Sequence, residues 1–177
     1  AKLDAGITLA PTATQIKLSR ENADFVQGLV DSYDEENRKI ADANRRIADE
    51  TTIITAENGR ATPDSAVIAA ATKRKTAAEA EKTTAEENQK KIFKKVKAIY
   101  DTIKDDTVLS PLLETLPQKY PNMAASINQR LAKIENETAD IDDYGLTLLK
   151  FFGVVTDAAV SNPAVIERTK SIINSVK

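Results

Sequence analysis

The sequence predicts an all-α protein: an elongated bundle of four to five helices with a long antiparallel coiled-coil hairpin projecting from it. Two heptad rows and the placement of the prolines carry that prediction. Val26, Tyr33, Ile40, Ile47 and Ile54 recur every seven residues in one long proline-free stretch, and Ala71, Ala78, Ala85, Ile92 and Ile99 do so in the next. A strict repeat of seven keeps one seam of an α-helix against a partner helix. Thr62-Pro63, Ser110-Pro111 and Asn162-Pro163 each set a good N-capping residue directly before a proline. Proline is tolerated at the first helical position, where its missing N–H would lack a partner anyway.

The first predicted helix runs from about Thr14 to Glu57, opened by a capping box at Thr12–Gln15 and ended by Asn58-Gly59. At ~1.5 Å per residue it is ~65 Å long. The second runs from Pro63 to about Asp105, which makes 58–62 the hairpin tip. A short turn at 111–116 follows, Pro117 ends it, and Tyr120-Pro121-Asn122 starts the next helix. That helix, roughly 122–142, carries Met123, Ile127, Leu131, Ile134, Thr138 and Ile141 at a 4-3-4-3 spacing. Gly145 is expected to separate it from a helix over 146–160. A last helix over 163–176 lines up Ile166, Thr169, Ile173 and Val176.

The whole of 1–177 reads as a single all-helical domain. Its arm is residues 36–86 of the hairpin, and its base is formed by 12–35, 87–110 and 111–177. Toward the tip, isoleucine faces alanine and little area is buried. The arm's outer half should therefore be the least protected part of the fold. Polar seam residues Asn37, Asn44, Lys75 and Lys82 fit either a register-setting role or a face that pairs with a second copy of the chain.

Composition narrows function by exclusion. Lysine plus arginine number 25 and aspartate plus glutamate 27, a formal charge of −2. That balance argues against nucleic acid as a partner, because phosphate neutralisation needs a basic surplus or stripe. Without histidine or cysteine, thiolate and imidazole chemistry and cysteine metal sites are excluded, and no cofactor or metal is expected. The lack of cysteine fits an exported protein and many cytosolic ones alike, and the start at Ala1 suits either a processed mature form or a trimmed chain. A periplasmic, cell-envelope or secreted location is the expectation favoured over a cytoplasmic one.

Five local patterns invite a chemical reading. Lys90, Lys91, Lys94, Lys95 and Lys97 surround Ile92, Phe93 and Val96; Glu86 and Glu87, four residues earlier, suit intrahelical pairing on a solvated face. The segment 146–155 is the most hydrophobic, and Leu146, Leu149, Phe151, Phe152, Val154 and Val155 would be its inserting side chains in a membrane-active protein. It is shorter than the ~20 residues of a spanning helix, so burial in the base is favoured. Asp140-Ile-Asp142-Asp143-Tyr144-Gly145 superficially resembles a calcium loop but has Phe151 where a bidentate glutamate belongs; it reads as an acidic helix end before a glycine break. Asn136-Glu-Thr138 matches a glycosylation acceptor but falls mid-helix. Asp105, Asp106 and Glu114 could form a carboxylate pair, though nothing places them together.

The expectation is a non-enzymatic interaction or structural protein whose hairpin docks a protein partner. The surfaces assigned to that partner are the tip (Asn58, Gly59, Arg60) and the arm cations Arg45, Arg46, Lys73 and Arg74. The alternative is a membrane-active helical protein that inserts 146–155.

Overall fold

The computed structural model describes residues 9–177. The chain is all-α, a helical bundle with a long antiparallel helical hairpin. Among the described residues the order is α1 (Ala13–Asn58), α2 (Ser65–Asp105), α3 (Ser110–Glu114), α4 (Leu116–Lys119), a 3-10 turn (Pro121–Met123), α5 (Ala124–Glu135), α6 (Ile141–Ala158) and α7 (Ala164–Asn174). Two compact units result. The bundle unit comprises the described residues up to Val30 together with Lys94–Lys177, and the hairpin unit is Asp31–Phe93. Helices α1 and α2 each pass from one unit into the other.

The bundle unit is organised around α6. Asp140 accepts a hydrogen bond from the Asp143 amide at 2.8 Å, and the Asp143 carboxylate accepts one from the Asp140 amide at 3.0 Å. This capping box starts the helix by satisfying amides that have no intrahelical partner. Beyond it the helix is apolar nearly all round, and Leu148, Phe151, Phe152, Val154 and Val155 are buried. Ser19 of α1 donates to the Phe152 carbonyl and Gln15 to the Ala159 carbonyl, each at 3.3 Å. On the α2 side, Tyr100 and Tyr144 meet edge to face with ring centres 5.6 Å apart. Burial pushes the Tyr100 hydroxyl up to about 12. Val26, Val96, Ile99, Ile103, Leu109, Leu116, Ile127, Ile166 and Ile173 complete a core of large side chains.

The hairpin unit is built on far less. Its buried residues are Glu36, Ala43, Glu57, Ala71, Ala78 and Ala85, and Ile40, Ile47 and Ile54 are only half-buried. Spacing alternates three and four along each helix. On α1 the isoleucine row interleaves with a second row, Glu36, Ala43, Glu50, Glu57; on α2 the alanine row interleaves with Ile68, Lys75, Lys82, Gln89. One row of each seam is therefore mostly polar, interrupted by Ala43 on α1 and Ile68 on α2.

Several boundaries differ from expectation. The capping box at Thr12–Gln15 forms as predicted, with both reciprocal bonds present at 2.9 and 3.1 Å. The second helix starts two residues late, because Asp64 rather than Thr62 caps it: its carboxylate accepts from the amides of Ala66 at 2.9 Å and Val67 at 3.4 Å. Pro117 does not end a helix but sits in the first turn of α4. Gly145 does not separate two helices; it lies inside α6, and the break falls at 136–140. There the Thr138 amide reaches back to the Lys133 carbonyl at 2.8 Å, a Schellman-type end, and Glu137 takes a left-handed φ of 57°. Gly145 has a packing reason instead: a Cβ there would lie 2.8 Å from a Val30 methyl.

Candidate functional site

The hairpin tip is organised by one acid. Glu57, buried at the end of α1, uses Oε1 to accept from the Arg60 guanidinium at 2.7 Å and from the Asp64 amide at 2.8 Å. It thus holds the loop and the start of α2 together. Asn58, Gly59, Arg60, Ala61 and Thr62 are all exposed, so the tip offers backbone and one tethered guanidinium to solvent.

Along the arm, two ion pairs and one amide contact join the helices. Arg74 donates both guanidinium arms to Glu50, at 2.8 and 3.0 Å. Arg46 bridges to Glu81 and also holds Asp42, at 2.9 Å. Gln89 donates to the Asn37 side chain and to the Tyr33 carbonyl, the latter at 3.3 Å. Together they fix the antiparallel register, which sets Ile47 level with Ala78. Arg45 braces α1 itself, to Asp42 at 2.8 Å and Asp49 at 3.3 Å. The Arg45 hydrogen bond, helped by Arg46, holds the Asp42 carboxyl below its ordinary value; Arg74 does the same for Glu50. The bidentate Arg–carboxylate geometry is the strongest pairing available to exposed charges.

Of the five cations assigned to partner binding, Arg45, Arg46, Arg60 and Arg74 are thus engaged by the hairpin's own carboxylates. Lys73 is exposed and takes part in no ion pair among the described residues. The six candidate residues of the hydrophobic segment lie in α6 of the other unit. Phe151, Phe152, Val154 and Val155 are buried and Leu149 half-buried, while Leu146 is 43% exposed. Lys150 of the same helix rests its ammonium 5.0 Å from the centre of the Tyr120 ring. No described helix is long and apolar enough to cross a membrane.

The remaining sequence patterns have structural duties. Asp140 and Asp143 begin α6 rather than end a helix, and Arg130 pairs with Asp143 at 2.8 Å. Burial works to raise the Asp143 carboxyl, but the Asp140 amide, Lys133 and Arg130 outweigh it and hold it below the usual carboxylate range. Asn136 is not mid-helix but exposed in the break after α5. Asp106 accepts from the amides of Val108 and Leu109, each at 2.9 Å, and from the Arg168 guanidinium at 2.6 Å, so it caps a turn. Lys90 and Lys91 form no ion pair with Glu86 or Glu87; Lys97 pairs instead with Asp101 at 2.7 Å.

Sequence reasoning missed the acids Glu36, Glu50, Glu57 and Glu81. For the three on α1 the signal was a heptad row offset by three residues from the isoleucines, which a search for apolar repeats passes over; Glu81, on α2, lies outside both seam rows. Glu36 and Glu81 also line a groove of about 690 Å³ on one face of the hairpin. Its walls carry Arg38, Lys39, Asp42 and Arg46 from α1, and Ala80, Thr84, Ala85 and Asn88 from α2. The small residues on α2 leave room for another chain to approach closely. Within the groove, Lys39 holds Glu36 Oε1 at 3.0 Å, and Glu36 Oε2 is buried with no hydrogen-bond partner. Compared with known proteins, the chain matches no family, and neither a curated protein nor a solved structure shows significant similarity to it.

Proposed function

We propose that this is a non-enzymatic interaction protein whose hairpin docks a protein partner. The observation that carries the reading is the contrast between how much helix the hairpin exposes and how little it buries. Two antiparallel helices are held by a seam of isoleucine, alanine and paired charges, and their outer faces are left to solvent. One of those faces has a groove lined by small residues of α2 and by charged side chains, suited to a side-on helix or an extended segment. Hairpin carboxylates already hold four of the five candidate cations, so the recognition surface shifts from the arginines to the groove and to Lys73.

A photoreactive side chain placed at Thr84 in the groove, at Lys73, or at Ser171 of α7 tests this in the full chain under native conditions. The reading predicts crosslinks to one defined protein from Thr84 or Lys73, none from Ser171, and loss of the Thr84 crosslink in Ala80→Arg. Equal yields from all three positions would overturn it. So would flotation of the full chain with liposomes at physiological salt, which would instead favour insertion of the Leu146–Val155 segment.

A further inference from the structure

We propose that the groove on the hairpin is one half of a dimer interface, in which a second copy of this chain lays its α2 antiparallel against the first and sends Lys73 to Glu36. The inference rests on the reading that the groove docks a protein, and it names that protein. Glu36 supplies the first observation. It is 8% exposed, lines the groove, and accepts from Lys39 on one carboxylate oxygen at 3.0 Å. The other oxygen is buried with no hydrogen-bond partner, a costly state for a carboxylate. The groove's other two cations are already taken, Arg38 by Glu35 and Arg46 by Asp42 and Glu81. Its four acids therefore outnumber its three bases by one. What the groove lacks is a single cation.

The same edge of α2 carries that cation. Lys73, Ala77, Ala80 and Thr84 follow one another at spacings of four, three and four, so they share one edge of the helix. Ala80 and Thr84 line the groove. Lys73 is exposed and enters no ion pair among the described residues. It cannot reach Glu36 of its own chain. The register that sets Ile47 beside Ala78 puts Glu36 level with Gln89, which donates to the adjacent Asn37, ~24 Å along the hairpin from Lys73. A second copy turned about a two-fold axis between Ala80 and Thr84 closes that distance. Position 81 is midway between 73 and 89, so the partner's Lys73 comes level with Glu36, and symmetry makes the contact twice. The residues at the axis suit such an approach. Ala77, Ala80 and Thr84 are small enough for two helices to come close, and Glu81 meets its own copy already neutralised by Arg46. Nor is Glu36 sealed, for its side chain keeps 11% of its surface open. The terminal torsion of a glutamate is soft, so an incoming ammonium can take one oxygen while Lys39 keeps the other.

Sedimentation velocity of the full chain over a concentration series tests the pairing. The chain should dimerise, and the dimer should weaken roughly tenfold or more in Lys73→Ala and in Glu36→Gln. The double variant should lose no more than the weaker-binding single one, because both substitutions remove the same contact. Disulfide trapping gives a second readout that leaves both residues in place. The chain has no cysteine, so Ala80→Cys, beside the axis, should oxidise to a covalent dimer. Ala69→Cys, exposed on the same helix but ~36 Å along it from its symmetry mate, should not. A monomer at every concentration would overturn the proposal. So would a dimer that both single variants leave unchanged, or one that Ala69→Cys traps as well as Ala80→Cys. A monomer whose Thr84 crosslink captures a different protein would sink self-pairing alone. Failure of the docking reading shows instead as equal crosslinking from Thr84, Lys73 and Ser171.

Discussion

The two units use the same secondary structure and hold it together in opposite ways. In the bundle unit α6 is buried on nearly every side, and Phe151, Leu148 and Ile99 are fully enclosed. In the hairpin unit the buried residues are alanines and two glutamates, the isoleucines are half-exposed, and arginine–carboxylate pairs set the register. Large apolar side chains each contribute roughly 1.5–3 kcal/mol when buried, whereas exposed ion pairs contribute little. Cohesion by core therefore characterises one unit, and cohesion by register the other. Register positions two helices without covering them, and it leaves continuous faces free for contact.

Truncation of a core side chain should show the contrast most strongly. Phe151→Ala should cost about 3–5 kcal/mol, whereas Ile47→Ala, at the centre of the hairpin seam, should cost about 1 kcal/mol. Urea denaturation followed by far-UV circular dichroism measures both; equal losses would erase the distinction. Next in size, Gly153→Ala should destabilise by about 1–3 kcal/mol although alanine is the better helix former, because its methyl displaces the Tyr120 hydroxyl from the Lys150 carbonyl. Removing that hydroxyl as well, in Gly153→Ala/Tyr120→Phe, should recover most of the loss.

Acid should act on the register. Asp42 and Glu50 titrate below their ordinary values of 3.8 and 4.5 in the folded chain, so the unfolded chain binds protons first. Their contribution is fully present above those values and lost as pH falls through the lowered folded ones. Hairpin stability should hold from neutral pH to about pH 5 and decline below it. Glu50→Gln, which cannot titrate, should start lower at neutral pH and decline less in acid. The smallest effect belongs to the α5–α6 break. Glu137→Gly should stabilise by about 0.5–1 kcal/mol by relieving the left-handed backbone, seen as a small rise in Tm.

How far the sequence alone reaches depends on which signal each residue carries. The isoleucine and alanine rows announce the hairpin because heptad spacing of apolar residues has one common cause. The Thr12–Gln15 box is equally legible, since both bonds are local. Gly145 misleads because a glycine that ends a helix and one that admits a neighbouring methyl look the same until Val30 is brought beside it. Asp140 and Asp143 show the converse: their spacing is a capping box, but the resemblance to a calcium loop and the glycine nearby mask the helix start. The seam acids are hidden because Glu36, Glu50 and Glu57 look like solvent residues until the second row of the seam is aligned. The proposed partner is not legible in the pattern, because a docking face is defined by what complements it.

Native-state hydrogen exchange of the full chain tests the contrast most directly. The account predicts that amides of residues 40–57 and 66–86 exchange through local opening, at least a hundredfold faster than those of α6 and residues 96–103, which exchange only with global unfolding. Protection of the same magnitude in both units would contradict it.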